Sequence, residues 1–162
     1  MLAASRPELV RSVILIAAGG KIQPKPEASR ALEVIFNPAS TEPEVLAEMK
    51  YLVANQADAA RVWKILNASR DPKAGAIEEA AAKATPLAAW WAPPGNTKYL
   101  ILQGADDQIA PPENGVLLQK ELGPPRATLV NVPGAAHLLP IELPAVAASH
   151  IVEFVKSVGK AP

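Results

Sequence analysis

The chain has 162 residues, sets 16 Lys and Arg against 16 Asp and Glu, and contains no cysteine. That length suits one domain with a genuine core. Balanced charge leaves no field to draw nucleic acid or an anionic membrane, and the missing cysteine excludes disulfides, thiolate metal sites and a cysteine nucleophile.

The first elements are short and apolar. Residues 2–9 read as the end of a helix turned by Pro7, followed by a strand over residues 10–18. Its run Val13-Ile14-Leu15-Ile16-Ala17-Ala18 lacks alternation, the pattern of a strand covered on both faces, and is far too short to cross a bilayer. The opening residues lack the charged-then-apolar order of a signal peptide. The expectation is a soluble, cytoplasmic protein.

From Lys21 to about Pro94 the chain becomes alanine-rich and helical. Seventeen prolines, about twice ordinary usage, fall between the periodic segments and read as turns and helix starts. One helix is expected over residues 27–36, with Ala28, Ala31, Leu32, Ile35 and Phe36 on its apolar face. A second follows the cap-like Thr41 and Pro43, turning Val45, Leu46, Met49, Leu52 and Val53 inward. A third spans residues 57–68 with Val62, Ile65 and Leu66 inward, and a fourth 76–84, with Asp71-Pro72 between them. No strand and no strong motif interrupts them, so residues 21–94 read as a helical insertion lying over a sheet. Trp90 and Trp91 return the chain to that sheet, either as packing between insertion and sheet or as the lining of a substrate pocket.

The remaining elements alternate. A strand over residues 99–103 leads through Gly104 to Asp107. A helix begins at Pro111-Pro112-Glu113-Asn114, carries Val116, Leu117, Leu118 and Leu122, and closes at Gly123-Pro124. A strand over residues 127–132 leads through Pro133-Gly134 to His137. The last helix covers residues 143–158, with Val146, Ala147, Ile151, Phe154, Val155 and Val158 as its apolar face, before a frayed end. Short strand–helix–strand connections imply parallel pairing. Asp107 and His137 then leave the same edge of an open α/β sheet, where such sheets place their sites. An acid directed at an imidazole is two thirds of a nucleophilic triad. Asp106 reads as a solvated or capping residue, and His150, inside the last helix, as a solvent or packing residue.

The pattern strand–G-x-x-D-x-x-x-P, then strand–G-x-x-H-x-x-x-x-E-x-P–helix, is carried by Gly104, Asp107, Pro111, Gly134, His137, Glu142 and Pro144. It resembles the C-terminal half of the α/β-hydrolase fold family. Residues 6–17 are similar to the helix end and strand that follow the nucleophile in that family, and residues 21–91 to its cap. The resemblance implies a fold of three parallel strands with flanking helices plus a helical cap insertion, divided as 1–20, 21–94 and 95–162. It also implies that Asp107 is the triad acid and His137 the general base, then the general acid, of a hydrolase acting on an ester, amide or related acyl bond. No cofactor and no metal are implied, and the partner is a small apolar ester-like substrate.

The nucleophile elbow G-x-S-x-G has no match in the 162 residues. By family spacing it would lie shortly before Met1, so the chain is expected to be inactive alone. Its first strand is also expected to expose an apolar edge that favours aggregation. A non-catalytic hydrolase-like binding protein and a truncated relic are the alternatives.

Overall fold

The computed structural model describes residues 2–68 and 74–159. A short helix, α1 (Leu2–Ser5), and a 3-10 turn at Pro7–Leu9 precede the first strand. Three strands, β1 (Ser12–Ile16), β2 (Lys98–Gly104) and β3 (Ala127–Val132), form one parallel sheet in the order β1-β2-β3. Ile16 pairs with Leu102 across one ladder, and Gly104 pairs with Val132 across the other. The strands β2 and β3 therefore end level with each other. The loops that carry Asp107 and His137 start side by side.

The central strand is the scaffold. Every residue of β2 after Lys98 is buried. Successive side chains point to opposite faces of a strand, and the packing follows that alternation. Tyr99 and Ile101 meet Leu118 and Leu122 of helix α6 (Glu113–Leu122), together with Trp91. Leu102, on the opposite face, packs with Val132, Ala135, Leu139 and Ala147, the last from helix α8 (Pro144–Val158). The helix α6 settles deeply because Gly115 faces the sheet. A methyl group there would lie 2.8 Å from Leu129 Cδ1 and 3.2 Å from Ile101 Cγ2. Gly123, at φ 84°, ends the helix in a backbone conformation that glycine adopts without steric penalty.

The edge strand β1 departs from the expectation of a fully covered strand. It is only half-buried at all five positions and is shorter than the apolar run suggests. Among the described residues it pairs with β2 alone. An apolar cavity of about 220 Å³, lined by Val10, Val13, Leu15, Trp90 and Tyr99 among others, lies along it.

Among the described residues, four α-helices stand between β1 and β2: α2 (Pro26–Phe36), α3 (Glu42–Glu48), α4 (Ala59–Ala68) and α5 (Ala74–Ala84). Pro26 and Pro43 occupy first turns, where a missing backbone N–H carries no penalty. Thr41 and Glu44 form a capping box, with Thr41 N donating to Glu44 Oε2 at 2.7 Å. Helices α2, α3 and α4 and the 3-10 turn Met49–Tyr51 with the residues after it have a core of their own in Ile35, Val45, Met49, Leu52, Val53, Val62 and Trp63. Phe36 and Ile65, expected inward, are instead 48% and 46% exposed. Each sits at the margin of its helical stripe, and the inner positions are filled by Ile35 and Val62.

The end of the chain shows a similar narrowing. A short helix, α7 (Leu139–Glu142), stands before α8, so helical structure begins earlier than the expected start at residue 143. Of the expected face of α8, Ala147 and Phe154 are buried, while Val146 and Val155 are exposed. A helix laid on a three-stranded sheet buries a narrower stripe than its composition offers. The expected break at Asp71-Pro72 and the final residues 160–162 lie outside the described residues. No described helix is long and apolar enough to cross a membrane.

Candidate active site

Asp107 is placed by the turn that leaves β2. Gly104 allows that turn to pass directly under the histidine loop: a Cβ there would lie 2.3 Å from the Ala136 carbonyl oxygen and 2.6 Å from that of Ala135. The loop is then tied sideways, with Ala105 N donating to Val132 O and Asp106 N to Ala135 O, both at 3.0 Å. The Asp107 side chain is fully buried. Its Oδ1 accepts from Ile109 N at 2.9 Å and Ala110 N at 2.8 Å, which closes an Asx-type turn. These bonds offset the cost of taking a carboxylate out of water. The other oxygen, Oδ2, is left to look across the sheet edge.

His137 meets it there. Its Nδ1 lies 3.1 Å from Asp107 Oδ2, and its side chain is 27% exposed. Among the described residues, Nε2 makes no hydrogen bond. With the proton on Nδ1 directed at the carboxylate, Nε2 presents a lone pair on the open side of the ring. An imidazole so held can take a proton at Nε2, and the buried carboxylate then stabilises the cation. The expected juxtaposition of Asp107 and His137 is present in the folded chain. Asp107 forms an Asx turn at the same time, one oxygen serving the loop and the other the histidine.

The histidine loop depends on more distant contacts. Gly134, at φ 70°, makes the turn after β3. Ala136 N, immediately before His137, donates to Glu142 Oε2 at 2.9 Å, and Leu138 N donates to Leu52 O at 3.2 Å. Two residues that sequence reasoning did not assign to the site belong to its surroundings. Gln103, wholly buried, donates from Nε2 to Ala110 O at 2.6 Å and reaches Asp107 Oδ2 at 3.5 Å. Its Oε1 has no partner among the described residues. The signal available in the sequence was a single amide in an otherwise apolar strand, four residues before the acid. Glu142 was visible only as a member of a pattern.

The tryptophans stand elsewhere. Trp91 is buried beside α6, where its Nε1 donates to Glu121 Oε2 at 2.8 Å. Lys21 pairs with the other oxygen of Glu121 and lies 5.3 Å from the Trp91 ring centroid. That hydrogen bond from Lys21, reinforced by the one from Trp91, holds the Glu121 carboxyl below the ordinary glutamate value. Gly20 is required beneath the ring, since a Cβ there would lie 2.5 Å from Trp91 Cζ3. Trp90 lines the cavity beside β1 with Tyr99, Val13 and Leu15, and neither Asp107 nor His137 contributes to that lining. Asp106 is exposed and His150 is half-buried within α8. Among the described residues, no group of three or more His, Asp or Glu side chains is arranged to hold a metal ion.

No family model matches the sequence, and no curated protein matches it. Solved structures do. The chain superposes on a serine hydrolase from the polyaromatic hydrocarbon-degrading bacterium Cycloclasticus zankles with a TM-score of 0.68 at 15% identity, covering 99% of this chain and 60% of that one. A thermophilic esterase from Thermogutta terrifontis gives 0.69 at 20% identity, covering 98% and 60%. The 2-hydroxy-6-oxo-6-phenylhexa-2,4-dienoate hydrolase of a Rhodococcus strain gives 0.64 at 20% identity, covering 96% and 58%. These likenesses establish the fold: three parallel strands with flanking helices and a helical insertion, the C-terminal part of an α/β-hydrolase architecture. The chain spans about 60% of the length of the structures it matches.

Proposed function

We propose that this chain supplies the acid and the histidine of an α/β-hydrolase active site that cleaves an ester, amide or related acyl bond. Asp107 holds His137 in the Nδ1–H tautomer. His137 takes a proton from the nucleophile through Nε2 and returns it to the leaving group. The observation that carries this reading is the 3.1 Å contact between His137 Nδ1 and the buried, doubly anchored Asp107 carboxylate. The hydrolase neighbours support the reaction class. The nucleophile is a residue other than those of this chain, since no serine here sits in a G-x-S-x-G elbow.

In this reading residues 21–94 act as the cap over the site, and the small apolar acyl substrate is bound beneath it. Trp90 and Trp91 fit the other reading of them, packing between insertion and sheet, because the cavity that Trp90 lines is apart from Asp107 and His137 and Trp91 is buried beside α6. The absence of cysteine accords with a cytoplasmic setting. The test is His137→Ala in the protein with its nucleophile-bearing half present. Turnover of a small aryl ester should fall by at least about a thousandfold. Unchanged turnover overturns the proposal. A serine-directed fluorophosphonate should leave the 162-residue chain unlabelled.

A further inference from the structure

Glu142 has no part in the reaction just described, yet it occupies the junction between the helical insertion and the histidine loop. Its two carboxylate oxygens are divided between them. Oε1 accepts from Ala54 N of the insertion at 2.6 Å, and Oε2 accepts from Ala136 N at 2.9 Å, one residue before His137. Bonds from backbone amides to a charged carboxylate are stronger than neutral ones. The neighbouring contacts run between the same two regions. Leu138 N donates to Leu52 O at 3.2 Å, and Arg61 Nη1 donates to Ile141 O at 3.3 Å. Leu138 and Ile141 also pack against the core of the insertion.

We propose that Glu142 is a positioning residue whose single carboxylate couples the seating of the helical insertion to the orientation of the His137 ring. The inference rests on Asp107 and His137 being the working pair. With both bonds made, the amide before His137 is fixed and the ring is presented to Asp107 Oδ2. When the insertion lifts at Ala54, the carboxylate loses one of its two anchors and the histidine loop loses its support from above. The histidine is thereby set only when the insertion is closed over it.

The experiment uses the 162-residue chain, amide hydrogen exchange and nitrogen NMR of its two imidazoles, with His150 as the internal reference. Glu142→Ala should raise exchange at Ala54 and Ala136 by about tenfold or more, while the amides of β2 keep their protection. It should also move the His137 ring nitrogens from the Nδ1–H pattern towards the averaged values of a free imidazole, with His150 unmoved. Glu142→Gln keeps the side-chain length and one acceptor oxygen, so one of the two amides should stay protected and the ring signature should shift by less. Should the alanine variant lose its cooperative fold, the glutamine variant decides. An unchanged His137 signature, or unchanged exchange at both amides, overturns the coupling. The Asp107→Asn chain separates the two ideas. If Asp107→Asn shifts the His137 signature and the Glu142 variants do not, the pair stands and the coupling fails. If Asp107→Asn leaves it unchanged, the pairing itself fails.

Discussion

The acid loop and the histidine loop sit side by side at one sheet edge, but they are held by different means. The Asp107 carboxylate is anchored within its own loop, although Ala105 and Asp106 also bond to Val132 and Ala135 and Ile109 packs against the core of the insertion. That carboxylate binds amides two and three residues on, and Gln103, four residues back, closes the same turn. The His137 loop leans on others. Its supports come from Gly104 beneath it, from Glu142 after it, and from Leu52 in the helical insertion. The acid is held chiefly by short-range bonds at its carboxylate and the histidine chiefly by tertiary contacts. Anything that moves the insertion should therefore disturb the histidine before it disturbs the acid.

That contrast can be broken most severely at Gly104, where the two loops touch. A methyl group there meets backbone oxygens that cannot rotate away, so Gly104→Ala should lower stability by about 3 kcal/mol or more in urea unfolding. An unchanged midpoint would show that the histidine loop yields freely. Met49→Ala acts from the other side, removing a fully buried side chain from the core of the insertion. A loss of about 2–3 kcal/mol is expected. Hydrogen exchange should then rise at Leu138 while Ala110 stays protected. Equal loss at both would erase the distinction between the loops.

The acid loop has its own test. Asp107→Ala leaves two amides and the imidazole without their acceptor and should cost about 2 kcal/mol. Asp107→Asn keeps an oxygen for Ile109 and Ala110, so it should cost about half as much. If the two variants unfold alike, local anchoring is not what holds the loop.

The smallest effect is one of pH, at the clamp between Lys21, Glu121 and Trp91, away from both loops. The Glu121 carboxyl is held below its ordinary value of 4.5, chiefly by its bond to Lys21. The stabilisation is therefore present above that value and is lost as the pH falls through the lower, folded-state value. Trp91 emission should change over that acid range, and Glu121→Gln should remove the change.

Much of this site was legible in the chain, for identifiable reasons. A run such as Tyr99-Leu100-Ile101-Leu102-Gln103 followed by Gly104 and Asp107 describes a covered strand with an acid just past its end, and Val132 followed by Gly134 and His137 repeats the arrangement. Parallel pairing then brings the two together, because parallel strands of matched register end level. Less could be read where composition is silent about neighbours. The strands β1 and β2 are similarly apolar, yet β2 is buried and β1 is half-exposed, because among the described residues β2 has a strand on each side and β1 has one. Likewise Phe36, Ile65, Val146 and Val155 fit helical stripes that are wider than the surfaces they pack on.

By itself the sequence determined the local chemistry: the ends of β2 and β3 to within a residue, turn glycines, the cap at Thr41, and an acid and a histidine at the close of consecutive strands. These follow from periodicity and backbone stereochemistry, which act over a few residues. Only the tertiary structure decided what holds the histidine. Ala54 and Glu142 are 88 residues apart in sequence, and Leu52 and Leu138 nearly as far. Contacts of that range depend on how whole elements pack, and no local pattern encodes the partner of a backbone amide.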